Sequence, residues 1–147
     1  MYKIETAQKE LCEFLISMMP VEWSKICYYS KCTIGSRSSW IALIEKKTGA
    51  ICTQESFWKR YLSYPYEEMA SYVKLNKLTR NLFNAYLEKF GEGNIWCTYS
   101  LTIEEDYSFH VDLGYEMPKG DIVEQHDTVF RNFFNTEYVY LKEKYPY

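Results

Sequence analysis

The sequence predicts an α+β fold: a single antiparallel sheet of about five strands with three helices, in the order α-β-β-β-α-β-β-α. Three observations predict it. Residues 95–116 alternate apolar and polar side chains at period two across an acidic turn, which marks two strands buried on one face. Two long stretches repeat apolar residues at three and four, the period of a helix packed on one side. Short turns at Thr48-Gly49 and Glu104-Glu105-Asp106 join consecutive strands too tightly for anything but antiparallel pairing. Such a sheet buries its apolar side under helices.

The elements follow in order. Ile4, Ala7, Leu11, Phe14, Leu15 and Met18 make one stripe on a helix over residues 4–19, which Pro20 stops. A strand over 26–33 ends at Gly35-Ser36. Residues 40–44 are continuously apolar and read as a central strand, and the Thr48-Gly49 turn leads into a strand over 50–53. Residues 54–63 hold a basic-aromatic cluster of Phe57, Trp58, Lys59, Arg60 and Tyr61. A long helix over 65–90 opens on Pro65 with Glu67 and Glu68 in its first turn and closes on Lys89 and Gly91, each suited to its end of the helix dipole or cap.

On the first strand of the acidic hairpin, Ile95, Cys97, Tyr99, Leu101 and Ile103 share the buried face. On the return strand Phe109, Val111, Leu113 and Tyr115 do so. The opposite face carries Thr98, Ser100, Thr102, His110 and Asp112 and is expected to be wet. A final helix over 121–141 carries Phe130, Phe133, Phe134 and Leu141, and residues 142–147 form a frayed tail.

At 147 residues the chain reads as one domain over 1–147, long enough to bury roughly 70% of its unfolded surface without metal or disulfide support. Fifteen Tyr raise the aromatic share to 18%. Tyr serves equally as half-buried filler and as an interface residue. The net charge of −3 is unevenly spread. Glu104, Glu105, Asp106, Asp112, Glu116, Asp121, Glu124 and Asp127 are opposed only by Lys119, so that region is −8 + 1 = −7 and the remainder is −3 − (−7) = +4. These eight acids are the candidate partner-binding residues, because such a field favours a cationic partner; the alternative is a solvated face.

Cys12, Cys27, Cys32, Cys52 and Cys97 are odd in number and form no CxxC pair. Cys27 and Cys32, five apart on an expected strand, fall on opposite faces, which opposes chelation of one metal by both. Reduced thiols, no metal and no cofactor are expected. Lys9, Glu10 and Glu13 interrupt any signal-peptide core, and the longest apolar run is too short to cross a bilayer, so a cytoplasmic location and no membrane partner are expected.

Catalysis has little to stand on. The chain has no GxSxG, HExxH, P-loop or GxGxxG motif, and its two histidines offer only His110 beside Asp112 on the wet face as an acid-base pair. Lys59, Arg60, Tyr61, Lys74, Lys77 and Arg80 could grip nucleic acid by phosphate contact and stacking, but a pI near 5.5 argues against direct nucleic-acid binding.

The run Ile16-Ser17-Met18-Met19-Pro20-Val21-Glu22-Trp23-Ser24-Lys25-Ile26 resembles the helix-end block of the YezG-like immunity (antitoxin) family, which has the form Met-Ile-Pro, any residue, Glu-Trp, any residue, Lys-Ile/Val. Trp96-Cys97-Thr98 and Phe109-His110-Val111-Asp112-Leu113-Gly114-Tyr115 resemble the family's Trp-Thr strand and its return strand ending in Asp-Tyr, with Leu113-Gly114 inserted between Asp112 and Tyr115. The order of elements agrees over 4–134, while the family's Arg-rich final helix is represented here by Arg131 alone. The resemblance implies a bacterial cytoplasmic protein that is not an enzyme. It would bind and neutralise a cognate toxin, commonly a secreted or contact-delivered nuclease. Nuclease clefts are basic because they hold polyanions, so an acidic, Tyr-bearing surface fits one. The alternatives are an interaction domain with a non-toxin partner and a nucleic-acid-binding module. Gene neighbourhood discriminates among them.

Overall fold

The computed structural model describes residues 3–53 and 65–135, and for 65–70 the backbone alone. The basic-aromatic cluster at 57–61 and the tail at 142–147 lie outside the described residues. Three helices and one antiparallel five-stranded sheet alternate as expected: α1 (Ile4–Ser17), β1 (Trp23–Cys32), β2 (Arg37–Glu45), β3 (Ile51–Thr53), α2 (Pro65–Phe90), β4 (Thr98–Glu104), β5 (Phe109–Gly114) and α3 (Ile122–Phe134), with a short 3-10 turn at Glu92–Asn94 before β4. The sheet order is β3-β2-β1-β4-β5, so the long β1 is the centre and β5 an edge.

One face of the sheet carries Ile26, Tyr28, Ile41, Tyr99, Leu101 and Ile103, buried beneath α1 and α2 through Leu11, Leu15, Leu75, Leu82 and Phe83. Two polar links cross this core. The Tyr28 hydroxyl meets Thr79 Oγ1 at 2.6 Å and Ser39 Oγ at 3.0 Å, tying β1 to α2 and β2. The Tyr99 hydroxyl donates to the side-chain carbonyl of Gln8 on α1. Buried hydroxyls need such partners, and each one here fixes the registry of a helix on the sheet.

Four expectations are corrected. The helices do not all lie on one side: α3 packs on the opposite face, where Val129, Phe130, Phe133 and Phe134 close over Trp40, Ala42, Tyr29 and Ile51. Trp40 stacks on Phe133 and meets Phe130 edge-on, both at 6.0 Å. This double cover explains the unbroken apolar run in β2, since Trp40 and Ala42 face α3 while Ile41 and Leu43 face the other side.

The first hairpin strand starts at Thr98, not 95. Ahead of it the chain leaves the 3-10 turn out of strand phase, so Trp96 is buried and Cys97 only half-buried. Trp96 meets Phe83 edge-on at 5.2 Å.

On β5, Val111 and Leu113 are half-buried against the core, but Phe109 and Tyr115 are exposed (53% and 63%). The edge strand extends past the cover of α1 and α2, and alternation alone cannot tell a covered strand from an uncovered one. Finally, α3 stops at Phe134 rather than near 141, because Asn135 turns left-handed (φ 53°) and its N–H caps the Arg131 carbonyl.

Candidate partner-binding surface

The β4–β5 hairpin is closed by a tight turn. Tyr107 N–H donates to the Glu104 carbonyl at 2.9 Å, and Glu104 N–H to the Ser108 carbonyl at 2.8 Å. The Asp106 carboxylate accepts both the Ser108 hydroxyl (2.6 Å) and the Ser108 N–H (2.9 Å), and these bonds hold its carboxyl below its ordinary pKa. The turn strains the backbone of Tyr107: at φ 69° it occupies the left-handed region where Gly, Asn or Asp is usual. The residue is 66% exposed, and its ring leans edge-on against Trp23 at 6.0 Å.

The structure disperses the eight acids. Glu104, Glu105 and Asp106 sit together at the turn, where Glu104 lies opposite Lys25 in register and Glu105 reaches Lys46 at 3.6 Å. Asp112 stands exposed on the sheet face that α3 partly covers, 3.2 Å from His110 Nε2. Glu116 is exposed just after β5. Asp121 caps α3 by accepting the Glu124 N–H at 2.9 Å, Glu124 stands in the first turn, and Asp127 is bound to Arg131 at 2.7 Å.

The turn acids and the α3 acids belong to opposite ends of the hairpin. The register runs from Ile103 opposite Phe109 to Thr98 opposite Gly114, and Lys31, opposite Thr98 on β1, holds Gln125 of α3 at 2.9 Å. Five residue steps of strand span about 17 Å. That is about twice the screening length at physiological salt. The acids of the turn and those of α3 therefore act as separate fields, with Asp112 standing between them opposite Ser100, and Asp121 and Asp127 are engaged in holding α3.

What sequence reasoning missed is apolar. Among the described residues, eight large hydrophobic side chains are exposed, and five of them lie on the hairpin and its exit: Tyr107, Phe109, Tyr115, Met117 and Ile122. The chain carries no local signal for it: β4 rather than β5 pairs with β1, and that long-range choice leaves β5 at the edge.

A groove flanks each face of β5. On the α1 side Tyr107, Phe109 and Val111 face Ile4, Cys12 and Ile16 across an apolar groove of about 670 Å³. On the α3 side Ser100, Thr102, His110 and Asp112 face Val129, Asn132 and Phe133 across a mixed polar and apolar groove of about 510 Å³ with Lys25 in its lining. His110 and Asp112 are paired but about three-quarters exposed, so water screens them and nothing excludes solvent from a reacting group.

Burial pushes the Cys27 thiol up to about 12 and raises those of Cys12, Cys32 and Cys97, which disfavours their thiolate forms. Cys27, opposite Ala42, and Cys32, in the core under α1 and α2, do fall on opposite faces. No group of three or more metal-ligating side chains occurs among the described residues, and no described helix is long and apolar enough to cross a membrane.

A family model described as "YezG-like: Immunity protein YezG-like" matches residues 4–144 of the chain. No curated protein matches it.

Proposed function

The chain belongs to the YezG-like immunity protein family, and from that premise we propose that it binds and neutralises one cognate toxin through the β4–β5 hairpin and its exit. Membership of an immunity family implies a toxin partner. The toxin proposed is a secreted or contact-delivered bacterial nuclease with a basic nucleic-acid cleft. The protein acts as one immunity domain over 1–147 in the bacterial cytoplasm. It works by occupying a surface, without catalysis, cofactor, membrane or direct contact with nucleic acid.

The observation that carries this reading is the concentration of exposed aromatics among acids. Tyr107, Phe109 and Tyr115 stand between Glu104, Glu105 and Asp106 at one end and Glu116 at the other, with Asp112 on the neighbouring face. Stable interfaces combine a few aromatic anchors with a charged, wetter rim. Acids on the rim steer a basic partner and accelerate its association. Asp121, Glu124 and Asp127 contribute less to contact, because two of them already hold α3.

The test is co-expression with the toxin encoded beside the gene, using a variant with Glu104→Lys, Asp106→Lys, Asp112→Lys and Glu116→Lys. Loss of protection and slower association are expected, with an affinity cost of about 2 kcal/mol or more if a replaced acid is buried in the contact. A folded variant that protects and binds like the parent overturns the reading. It would shift attention to the basic-aromatic residues 58–61, or to an interaction domain whose partner is not a toxin.

A further inference from the structure

Among the described residues, strand β5 has one side without a neighbouring strand. Cys32 N–H donates to the Cys97 carbonyl and Glu104 N–H to the Ser108 carbonyl, each at 2.8 Å. Cys97, just ahead of β4, is irregular, since its N–H donates to the Gly114 carbonyl; within β4 the alternation set by Glu104 sends the even-numbered residues to β5 and the odd-numbered ones to β1. It follows that His110, Asp112 and Gly114 direct their backbone groups to β4, while the N–H and C=O of Phe109, Val111 and Leu113 point outward from the sheet. β5 ends the strand order on that side. Natural edges are usually blunted by charge, proline or a covering element; Phe-His-Val-Asp-Leu-Gly has no lysine or proline, and its one acid, Asp112, stands exposed on the face away from α1.

The side chains around this edge are sorted by face. Phe109 and Val111 line the apolar groove against α1. His110 and Asp112 stand on the other face, exposed. Acids bracket the edge at both ends, Glu104 to Asp106 before it and Glu116 after it. A strand laid along β5 would place alternate side chains in the apolar groove and the others beside Asp112.

Resting on the immunity reading above, we propose that the toxin adds an extended segment to β5 as a sixth strand, and that this segment alternates apolar with basic residues. Backbone pairing to Phe109, Val111 and Leu113 supplies affinity, the groove beside α1 selects the apolar positions, and the acids select the basic ones. A segment of about six residues spans the edge, roughly 20 Å.

The deciding experiment is amide hydrogen exchange, resolved by residue, on the protein alone and with the toxin domain encoded beside its gene. Alone, the amides of Phe109, Val111 and Leu113 exchange fast while those of His110 and Asp112 are protected; in the complex all five are protected. Val111→Pro removes one outward donor and no bond to β4, and edge strands tolerate proline. It is expected to weaken binding at least about tenfold, well beyond the loss in Val111→Ala, which removes side chain only.

If the complex forms but the three amides still exchange fast, or if folded Val111→Pro binds like the parent, strand addition is overturned and the immunity reading stands. Failure of the parent to bind or protect against the toxin overturns both. Protection that appears without toxin and grows with protein concentration assigns the edge to a second copy of this chain and overturns the proposal.

Discussion

Tyr107 is the residue whose placement is hardest to explain by folding alone. A bulky side chain in the left-handed region costs roughly 1–2 kcal/mol relative to glycine, and the edge-on contact with Trp23 returns about 0.5–1.5 kcal/mol. The two nearly cancel, so Tyr107→Gly should leave stability within about 1 kcal/mol in denaturant titration. If Tyr107 is an interface anchor, the same variant loses toxin affinity by at least about 2 kcal/mol, a hot-spot loss measured by calorimetry. Unchanged affinity would assign Tyr107 to the turn and to Trp23 alone. Neighbouring Asp106 fits the structural role better, since its carboxylate is already committed to Ser108.

Among elements, α3 is where structural and functional accounts of the acids divide. Its apolar face closes the second core over Trp40, and its start is held by the Asp121 cap. Asp121→Ala should cost about 1 kcal/mol of stability, the usual loss of a helix cap. Asp121→Asn keeps a capping oxygen and removes the charge, so it should stay close to the parent in stability. Thermal unfolding of the two variants separates cap from charge. If the Asp121→Asn variant also binds toxin like the parent, Asp121 is structural. The hairpin is the converse case: its turn and edge expose aromatics that contribute little to the core, which is the pattern expected of a contact element.

At the scale of the whole molecule, α3 also brings a titrating group. His126 is half-buried, and desolvation, with the charge of Lys31 second, lowers its pKa below 6.5. The unfolded imidazole therefore binds a proton more readily than the folded one. Stability is unaffected well above pH 6.5 and declines as pH falls through 6.5, where only the unfolded chain gains the proton. Urea titrations from about pH 8 to about pH 5 should show this decline, and His126→Gln should flatten it. Asp106 acts in the same sense only at lower pH. Its depressed carboxyl contributes above the ordinary carboxylate range and loses that contribution as pH falls through its lowered value.

Much of the architecture was legible in the chain because it depends on local periodicity. The stripe from Ala7 to Leu15, the bounds of α2, the antiparallel hairpins and the opposite facing of Cys27 and Cys32 all follow from the repeat of a helix or a strand and from turn residues. The family resemblance was legible too, and the family model matches residues 4–144. What the chain alone could not specify was which surfaces meet. The packing of α3 on the far face, the exposure of Phe109 at a strand edge left unpaired among the described residues, the burial of Trp96 instead of Cys97 and the dispersal of the eight acids along the hairpin and α3 depend on contacts between segments distant in sequence. Periodicity marks a face as apolar. Only the tertiary arrangement decides whether a helix covers that face or leaves it for a partner, because burial is a property of what lies opposite a residue in space.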